Sequence, residues 1–120
     1  MHFSQISYAG LALTPSVLGA NLIASHYTGK LYSLTYNAGK LAITGSVSGC
    51  GNMPSWLSLD SASGTLLCTD ESSGSGALAT FSVSNTGALT LNGSARTSGG
   101  DVHGSFYGGS DGKGFIVQAE

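Results

Sequence analysis

Few side chains in this sequence can carry out acid–base chemistry. The sequence holds three histidines and six acidic residues, and four of these stand where apolar runs of strand length begin or end: His26, Glu71, His103 and Glu120. A carboxylate and an imidazole on one surface can accept a proton and return it, which is general acid–base catalysis. The alternatives are a solvated strand-end acid for Glu71 and structural histidines, bonded to a loop, for His103 and His26. Asp70 is expected to be a strand-end hydrogen-bond acceptor.

An internal repeat predicts the elements that position these residues. The same order of short apolar runs, separated by Gly- and Ser-rich turns, occurs twice along the chain. The matching runs are residues 31–36 and 78–83, 56–60 and 103–107, and 66–71 and 115–120. A period in the forties with four strands per unit is typical of β-propeller blades. The sequence therefore predicts an all-β fold, a partial propeller of about two and a half four-stranded blades.

The order of strands within a blade predicts where the candidate residues lie. Helical periodicity is absent, and nine strands bounded by Gly, Asn, Asp and Ser are predicted. They cover residues 22–25, 31–36, 41–46, 56–59, 65–69, 77–83, 88–95, 102–107 and 114–119. In an antiparallel blade, the start of the first strand and the end of the second lie at the same end of the sheet. We therefore expect His26, Glu71, His103 and Glu120 to share one rim. Trp56 is expected to pack between blades.

The phase of the repeat also predicts a longer protein. The first unit begins at its second strand, and the last apolar run continues to residue 119 with no turn after it. We therefore expect an N-terminal piece of a propeller whose further C-terminal blades are needed to close the ring. An alternative is that the 120-residue chain has no function of its own, because an open array leaves a strand edge exposed.

The composition excludes several classes of function. Only 8% of the residues are charged and the net charge is −2, so no basic patch for nucleic acid is present. No Cys/His spacing of a metal site occurs, and no metal or cofactor is expected. The apolar run at residues 8–13 is too short to cross a membrane as a helix. The 19 glycines suit an all-β chain with many tight turns.

The first 20 residues resemble a secretory signal peptide. The apolar run is followed by Pro15 and by a small-residue end at Gly19 and Ala20, which fits cleavage after either residue. The segment before the run has no Lys or Arg, so an N-terminal strand with a linker is the alternative. We expect a signal at residues 1–20, a propeller segment at 21–120 and a secreted protein.

The two cysteines, Cys50 and Cys68, leave two alternatives open: a disulfide or two unpaired thiols. A pair of cysteines in a secreted chain is compatible with a disulfide. The predicted hairpin register, however, places Cys68 opposite Leu57, and Cys50 would have to fold back to reach it. This register disfavours the disulfide.

Four segments resemble the seven-bladed propeller lactonase family, which includes 6-phosphogluconolactonases and relatives of carboxy-cis,cis-muconate cyclase. The segments are residues 22–29 (LIASHYTG), 52–60 (NMPSWLSLD), 66–71 (LLCTDE) and 87–90 (GALT). The chain is most similar to the fungal secreted-type branch. The resemblance spans residues 21 to 120 and implies a small-molecule substrate, either a lactone or a sugar-derived molecule. It also implies hydrolysis of the lactone ring or a related cyclisation, without metal or cofactor.

By position, the resemblance makes Glu71 the strand-end acid and His103 the histidine that follows a turn. From this match and the shared rim we expect Glu71 to be the base or to orient the water, and His103 to serve proton transfer or oxyanion support. We expect His26 and Glu120 to contact substrate. The sequence departs from the family pattern at two positions, and both departures weaken the assignment of catalytic roles. Asp101 occupies a position where the family usually has Pro, and Glu120 stands where relatives often carry His or Asn. A propeller that binds a sugar or a protein on the same rim without catalysis is therefore the alternative to a lactonase.

Overall fold

The computed structural model describes residues 19–108 and 114–119, which form nine β-strands and no helix. The strands are β1 (Ala20–His26), β2 (Lys30–Asn37), β3 (Lys40–Ser48), β4 (Pro54–Asp60), β5 (Thr65–Asp70), β6 (Ala77–Val83), β7 (Leu89–Arg96), β8 (His103–Gly108) and β9 (Gly114–Ala119). Each corresponds to a predicted strand, so the all-β prediction is confirmed. Within these ranges no helix has the length and apolar character needed to span a membrane.

The strands form three antiparallel sheets, ordered β1-β2-β3, β4-β5-β6-β7 and β8-β9. The second sheet is one complete four-stranded blade. The first sheet holds the last three strands of a blade and the third sheet holds the first two, which is the predicted phase of the repeat. Neighbouring sheets contact each other along β4, which lies against β1 on one side and β8 on the other.

The hydrophobic core lies between the first and second sheets. Leu31 of β2 is buried against Leu66 of β5 and Phe81 of β6. Alternate residues of β5 point to opposite faces, and Leu67, also fully buried, lies against Gly104 of the third sheet. Burying one such Leu or Phe side chain contributes about 1.5–3 kcal/mol. Strand β5 is therefore covered on both faces, as expected for a blade between two neighbours.

Serine hydroxyl groups form hydrogen bonds to backbone carbonyls of the neighbouring sheet. Ser33 Oγ donates to the carbonyl of Gly87 at 2.7 Å, which links the first sheet to the second. Ser58 Oγ donates to the carbonyl of Gly104 at 2.6 Å, which links the second sheet to the third. Because such bonds require one lateral arrangement of the sheets, they fix how each sheet is placed against the next.

The opposite face of the first sheet is apolar and open. Leu22, Leu34 and Ile43 lie side by side in the register of β1, β2 and β3, and Leu22 and Ile43 are exposed. An exposed apolar patch of this kind marks a contact surface. The face agrees with a propeller, in which each blade packs against a sheet on either side.

A disulfide joins Cys50 and Cys68, the alternative that the hairpin register disfavoured. The predicted register is correct, since Cys68 pairs with Leu57. Cys50, however, approaches from outside the hairpin. It lies in the connection that crosses from β3 of the first sheet to β4 of the second, where Gly49 and Gly51 adopt positive φ angles of 130° and 72°. The connection brings the Cα atoms of Cys50 and Cys68 to 5.9 Å.

The turn between β4 and β5 is held by Asp60. Its carboxylate accepts hydrogen bonds from the Ser63 hydroxyl at 2.6 Å and from the Ala62 N–H at 3.1 Å. The Ser63 bond, followed by the Ala62 bond, lowers the pKa of Asp60 below its ordinary value. The ionised carboxylate therefore contributes to the free energy of unfolding at pH values above the ordinary pKa of Asp. This contribution is lost as the pH falls through the lowered pKa of Asp60.

Candidate functional site

The candidate site lies at the end of the sheets where β1 and β5 end and where β4 and β8 begin. His26 is the last residue of β1, Glu71 follows β5, and His103 is the first residue of β8. Pro54, the first residue of β4, pairs with Asp70, the last residue of β5. Glu120 lies outside the described residues. The structure therefore places the other three predicted residues at corresponding strand ends.

Glu71 is bonded to the first sheet through Tyr27. The Tyr27 hydroxyl donates a hydrogen bond to Glu71 Oε1, and the Glu71 N–H donates to the carbonyl of Met53 at 3.1 Å. No further hydrogen bond to the Glu71 carboxylate occurs among residues 19–108 and 114–119. Glu71 is half-buried. Its second oxygen, Oε2, is therefore available to accept a proton from water.

Tyr27 is the residue that sequence reasoning missed. The register pairs His26 with Lys30 and Asp70 with Ala77, so Tyr27 occupies in the first sheet the position that Glu71 occupies in the second. This equivalence was present in the repeat and is the signal that identifies it. The hydrogen bond to Glu71 raises the pKa of Tyr27 above its ordinary value of 10.0. The phenol is therefore protonated, and able to donate, throughout the neutral range.

Asp70 holds the backbone on both sides of the site, as the sequence predicted for this residue. Its Oδ1 accepts hydrogen bonds from the Met53 N–H at 2.8 Å, the Ser72 N–H at 3.2 Å and the Ser72 hydroxyl at 2.7 Å. Asp70 is buried. A buried carboxylate with several donors is a strong acceptor, and these bonds fix the chain immediately before β4 and immediately after Glu71.

Replacing Gly51 by Ala is expected to break this arrangement. Gly51 has a φ of 72°, and an added Cβ would overlap the Asp70 carboxylate. We expect a loss of about 2 kcal/mol in the free energy of unfolding, measured by urea denaturation of the full chain. Gly39→Ala is the matched control: Gly39 has a φ of 78° with no atom within 4 Å of the added Cβ. It is expected to cost about 1 kcal/mol. Equal losses in the two variants would contradict the role given to Asp70.

His103 lies against Trp56 between the second and third sheets. The ring centroids are 4.4 Å apart with an interplanar angle of 49°. The contact between sheets expected of Trp56 is present, although 39% of this residue is exposed. The imidazole of His103 makes no hydrogen bond within the part of the chain that the structure describes, and His103 is exposed. Its ring nitrogens are therefore accessible to a ligand.

His26 is engaged in its own turn. Its Nδ1 lies 3.2 Å from Thr28 Oγ1 and accepts a hydrogen bond from the Thr28 N–H at 3.2 Å. No hydrogen bond joins His26, Glu71 and His103 to one another within the described residues. Glu71 is bonded to the first sheet through Tyr27, whereas His103 contacts Trp56 of β4 from the third sheet.

Asp101, which stands where the resemblance implies Pro, is 2% exposed. Its carbonyl accepts a hydrogen bond from Ser55 Oγ at 3.4 Å, and its Oδ2 is buried without a hydrogen-bond partner among the described residues. Asp101 therefore contributes a backbone acceptor to the contact of the second and third sheets.

One groove of the described structure lies away from these residues. It has a volume of about 380 Å³ and separates β2 and β3 from the turn before β7. Its lining, which includes Ser33, Val47 and Leu89, contains no titratable side chain. Residues 19–108 and 114–119 also contain no group of three His, Cys, Asp or Glu side chains that could hold a metal ion. The rim therefore carries the candidate chemistry.

Comparison with known proteins gives one match. A family model described as Lactonase, 7-bladed beta-propeller, matches residues 21–120. No curated protein and no solved structure matches the chain.

Proposed function

Because the chain belongs to the seven-bladed β-propeller lactonase family, we propose that its rim forms part of a site that hydrolyses a lactone. Glu71 is the base that activates water, and His103 supports the oxyanion or returns the proton. The substrate is a small lactone or a sugar-derived molecule. No metal ion or cofactor is assigned to this site.

The hydrogen bond between Tyr27 and Glu71 is the observation that supports this proposal. It holds one carboxylate oxygen of Glu71 and leaves the other, Oε2, open at the rim. A base is effective only when it is held within hydrogen-bond reach of the proton that it removes. A solvated strand-end acid needs no such partner on a neighbouring sheet.

The proposed reaction is the addition of water to the lactone carbonyl. Glu71 Oε2 accepts a proton from water as the water oxygen bonds to the carbonyl carbon, and the carbonyl oxygen becomes an oxyanion. The oxyanion then re-forms the carbonyl and the ring C–O bond breaks. The ring oxygen leaves as a hydroxyl by taking up the proton that Glu71 removed from water, returned by Glu71 itself or through His103, and Glu71 is again a carboxylate. The product is the open-chain hydroxy acid.

His103 acts from the third sheet, at the start of β8. An imidazole N–H can donate a hydrogen bond to an oxyanion or a proton to the leaving oxygen. We place the substrate between Glu71 and His103, where it can meet both side chains.

Replacing Tyr27 by Phe is expected to lower kcat for lactone hydrolysis about tenfold. The variant removes the donor that orients Glu71, while KM changes little because Tyr27 does not contact substrate. The measurement is the initial rate in a pH-stat with D-glucono-1,5-lactone and the full chain, compared with the uncatalysed rate.

Tyr36→Phe is the matched control, because Tyr36 is an exposed tyrosine at the end of β2. It is expected to leave both kcat and KM unchanged. A Tyr27→Phe variant with the wild-type kcat would show that the bond to Glu71 is only structural.

A propeller that binds ligand without turnover is the second candidate, favoured by the separation of Glu71 and His103. This second function is supported if a lactone or sugar binds saturably at the rim and hydrolysis is no faster than the uncatalysed reaction.

We also propose that the protein is secreted, through a signal at residues 1–20, and that it belongs with the fungal secreted-type relatives. The disulfide between Cys50 and Cys68 supports this, because disulfides persist in oxidising compartments and are rare in the cytosol.

A further inference from the structure

Trp56 and His103 form an open aromatic surface on the first strands of two blades. Both residues are exposed, although their rings contact each other. In a propeller the blades surround a central channel, and the first strand of each blade lies at its inner edge. The imidazole lies against the indole, and 39% of Trp56 remains exposed. Trp56 pairs with Thr69, two residues before Glu71, so the indole is carried near the rim end of the second sheet.

The indole is held in one orientation by a chain of two hydrogen bonds. Trp56 Nε1–H donates to Ser58 Oγ at 3.0 Å, and the Ser58 hydroxyl donates to the Gly104 carbonyl at 2.6 Å. The one polar group of the indole is therefore already bonded. What Trp56 presents to a ligand is its apolar ring surface, and this surface is ordered before a ligand arrives, which lowers the entropic cost of binding.

The strands that carry this surface have no positive charge. Neither β4 nor β8 contains Lys or Arg. The ammonium group of Lys30 donates to Ser48 on β3, and Arg96 ends β7, the outermost strand of the second sheet. Anionic groups such as phosphate and carboxylate are recognised mainly by Arg and Lys. The aromatic surface therefore suits an uncharged ligand.

We infer that Trp56 and His103 bind the ring of an uncharged sugar lactone, with the C–H face of the ring on the indole. This inference rests on the proposed function and names its substrate class. An apolar ring face fits an indole whose N–H is already used, and the ring hydroxyls can bond to the free nitrogens of His103. A phosphorylated or carboxylated lactone would find no cation on these strands.

The test uses the full chain and its only tryptophan, Trp56. Indole fluorescence is followed within seconds of mixing with D-glucono-1,5-lactone, with its 6-phosphate, and with δ-valerolactone, which lacks the ring hydroxyls. We expect a saturable change with the neutral sugar lactone and an affinity at least about tenfold weaker for each of the other two. Tighter binding of the phosphate, or equal binding of δ-valerolactone, would overturn the inferred ligand class.

Substitutions then test whether binding depends on Trp56 or on another part of the molecule. Trp56→Leu is expected to weaken binding of the neutral sugar lactone about tenfold by calorimetry. Tyr36→Leu is the matched control, since Tyr36 is also 39% exposed but lies on β2 of the first sheet; its affinity should equal that of the wild type. Unchanged affinity in Trp56→Leu refutes the inference.

The two proposals fail separately. If the neutral sugar lactone binds through Trp56 but is not hydrolysed, the proposed aromatic binding surface is supported and the proposed lactonase activity is refuted. If the lactone is hydrolysed and its affinity does not depend on Trp56, the lactonase activity is supported and the aromatic binding surface is refuted.

Discussion

Glu71→Gln is expected to lower kcat for lactone hydrolysis by at least about a hundredfold, because removal of a general base typically costs a factor of 10² to 10⁴. Gln has nearly the shape of Glu, and its carbonyl oxygen can still accept the hydrogen bond from Tyr27. The site therefore keeps its structure and loses only the group that takes a proton from water. The measurement is the initial rate of lactone hydrolysis by the full chain in a pH-stat.

Asp60→Asn is the matched control for this loss. Asp60 ends β4 and therefore lies at the opposite end of the second sheet from Glu71. It is expected to keep the wild-type kcat, provided that the assay is run near neutral pH. If Glu71→Gln hydrolyses the lactone at the wild-type rate, another group is the base and the role proposed for Glu71 is wrong.

Loss of the disulfide is expected to lower the free energy of unfolding by about 3 kcal/mol. Cys50 and Cys68 are 18 residues apart, and the bond restricts the unfolded chain by closing this loop. The variant is Cys50→Ala with Cys68→Ala, which leaves no lone thiol in the core, and the measurement is urea denaturation of the full chain. Reduction of the wild-type protein should produce a similar loss.

The double variant itself supplies the control, since reductant should leave its unfolding curve unchanged. Wild-type protein recovered from the culture medium should contain no free thiol and should begin at Ala20 or Asn21 if the proposed signal is removed. Equal stability of the wild type and the double variant, or free thiols in the native protein, would contradict the role of the bond.

The strands were predictable because their signals are local. The runs at residues 31–36 and 78–83 repeat in composition and in the turns that follow them, and both became the third strand of a blade, β2 and β6. The disulfide was not predictable in the same way. Hairpin register gives the neighbours of Cys68 within its own sheet, but Cys50 reaches it through the connection between two sheets. The path of that connection depends on Gly49, Gly51 and the buried carboxylate of Asp70.

The site was predictable only in part for a related reason. Antiparallel order places the end of β5 and the start of β8 at one end of their sheets, so Glu71 and His103 were correctly assigned to strand ends. Which side chains then meet depends on how the sheets pack laterally, and strand patterns do not contain that information. The partner of Glu71 is therefore Tyr27 rather than a histidine.

The bond between Tyr27 and Glu71 also shows what quasi-symmetry makes possible in a ring of repeats. The two residues are equivalent positions of adjacent units, so one period of separation along the chain becomes lateral proximity at the rim. If the units were identical, this position would hold the same residue in both, and two phenols or two mutually repelling carboxylates would lie side by side. A single divergence between the units converts this pair into a donor and an acceptor. Asymmetry between neighbouring repeats is thus sufficient to create a polar site where strict symmetry could not.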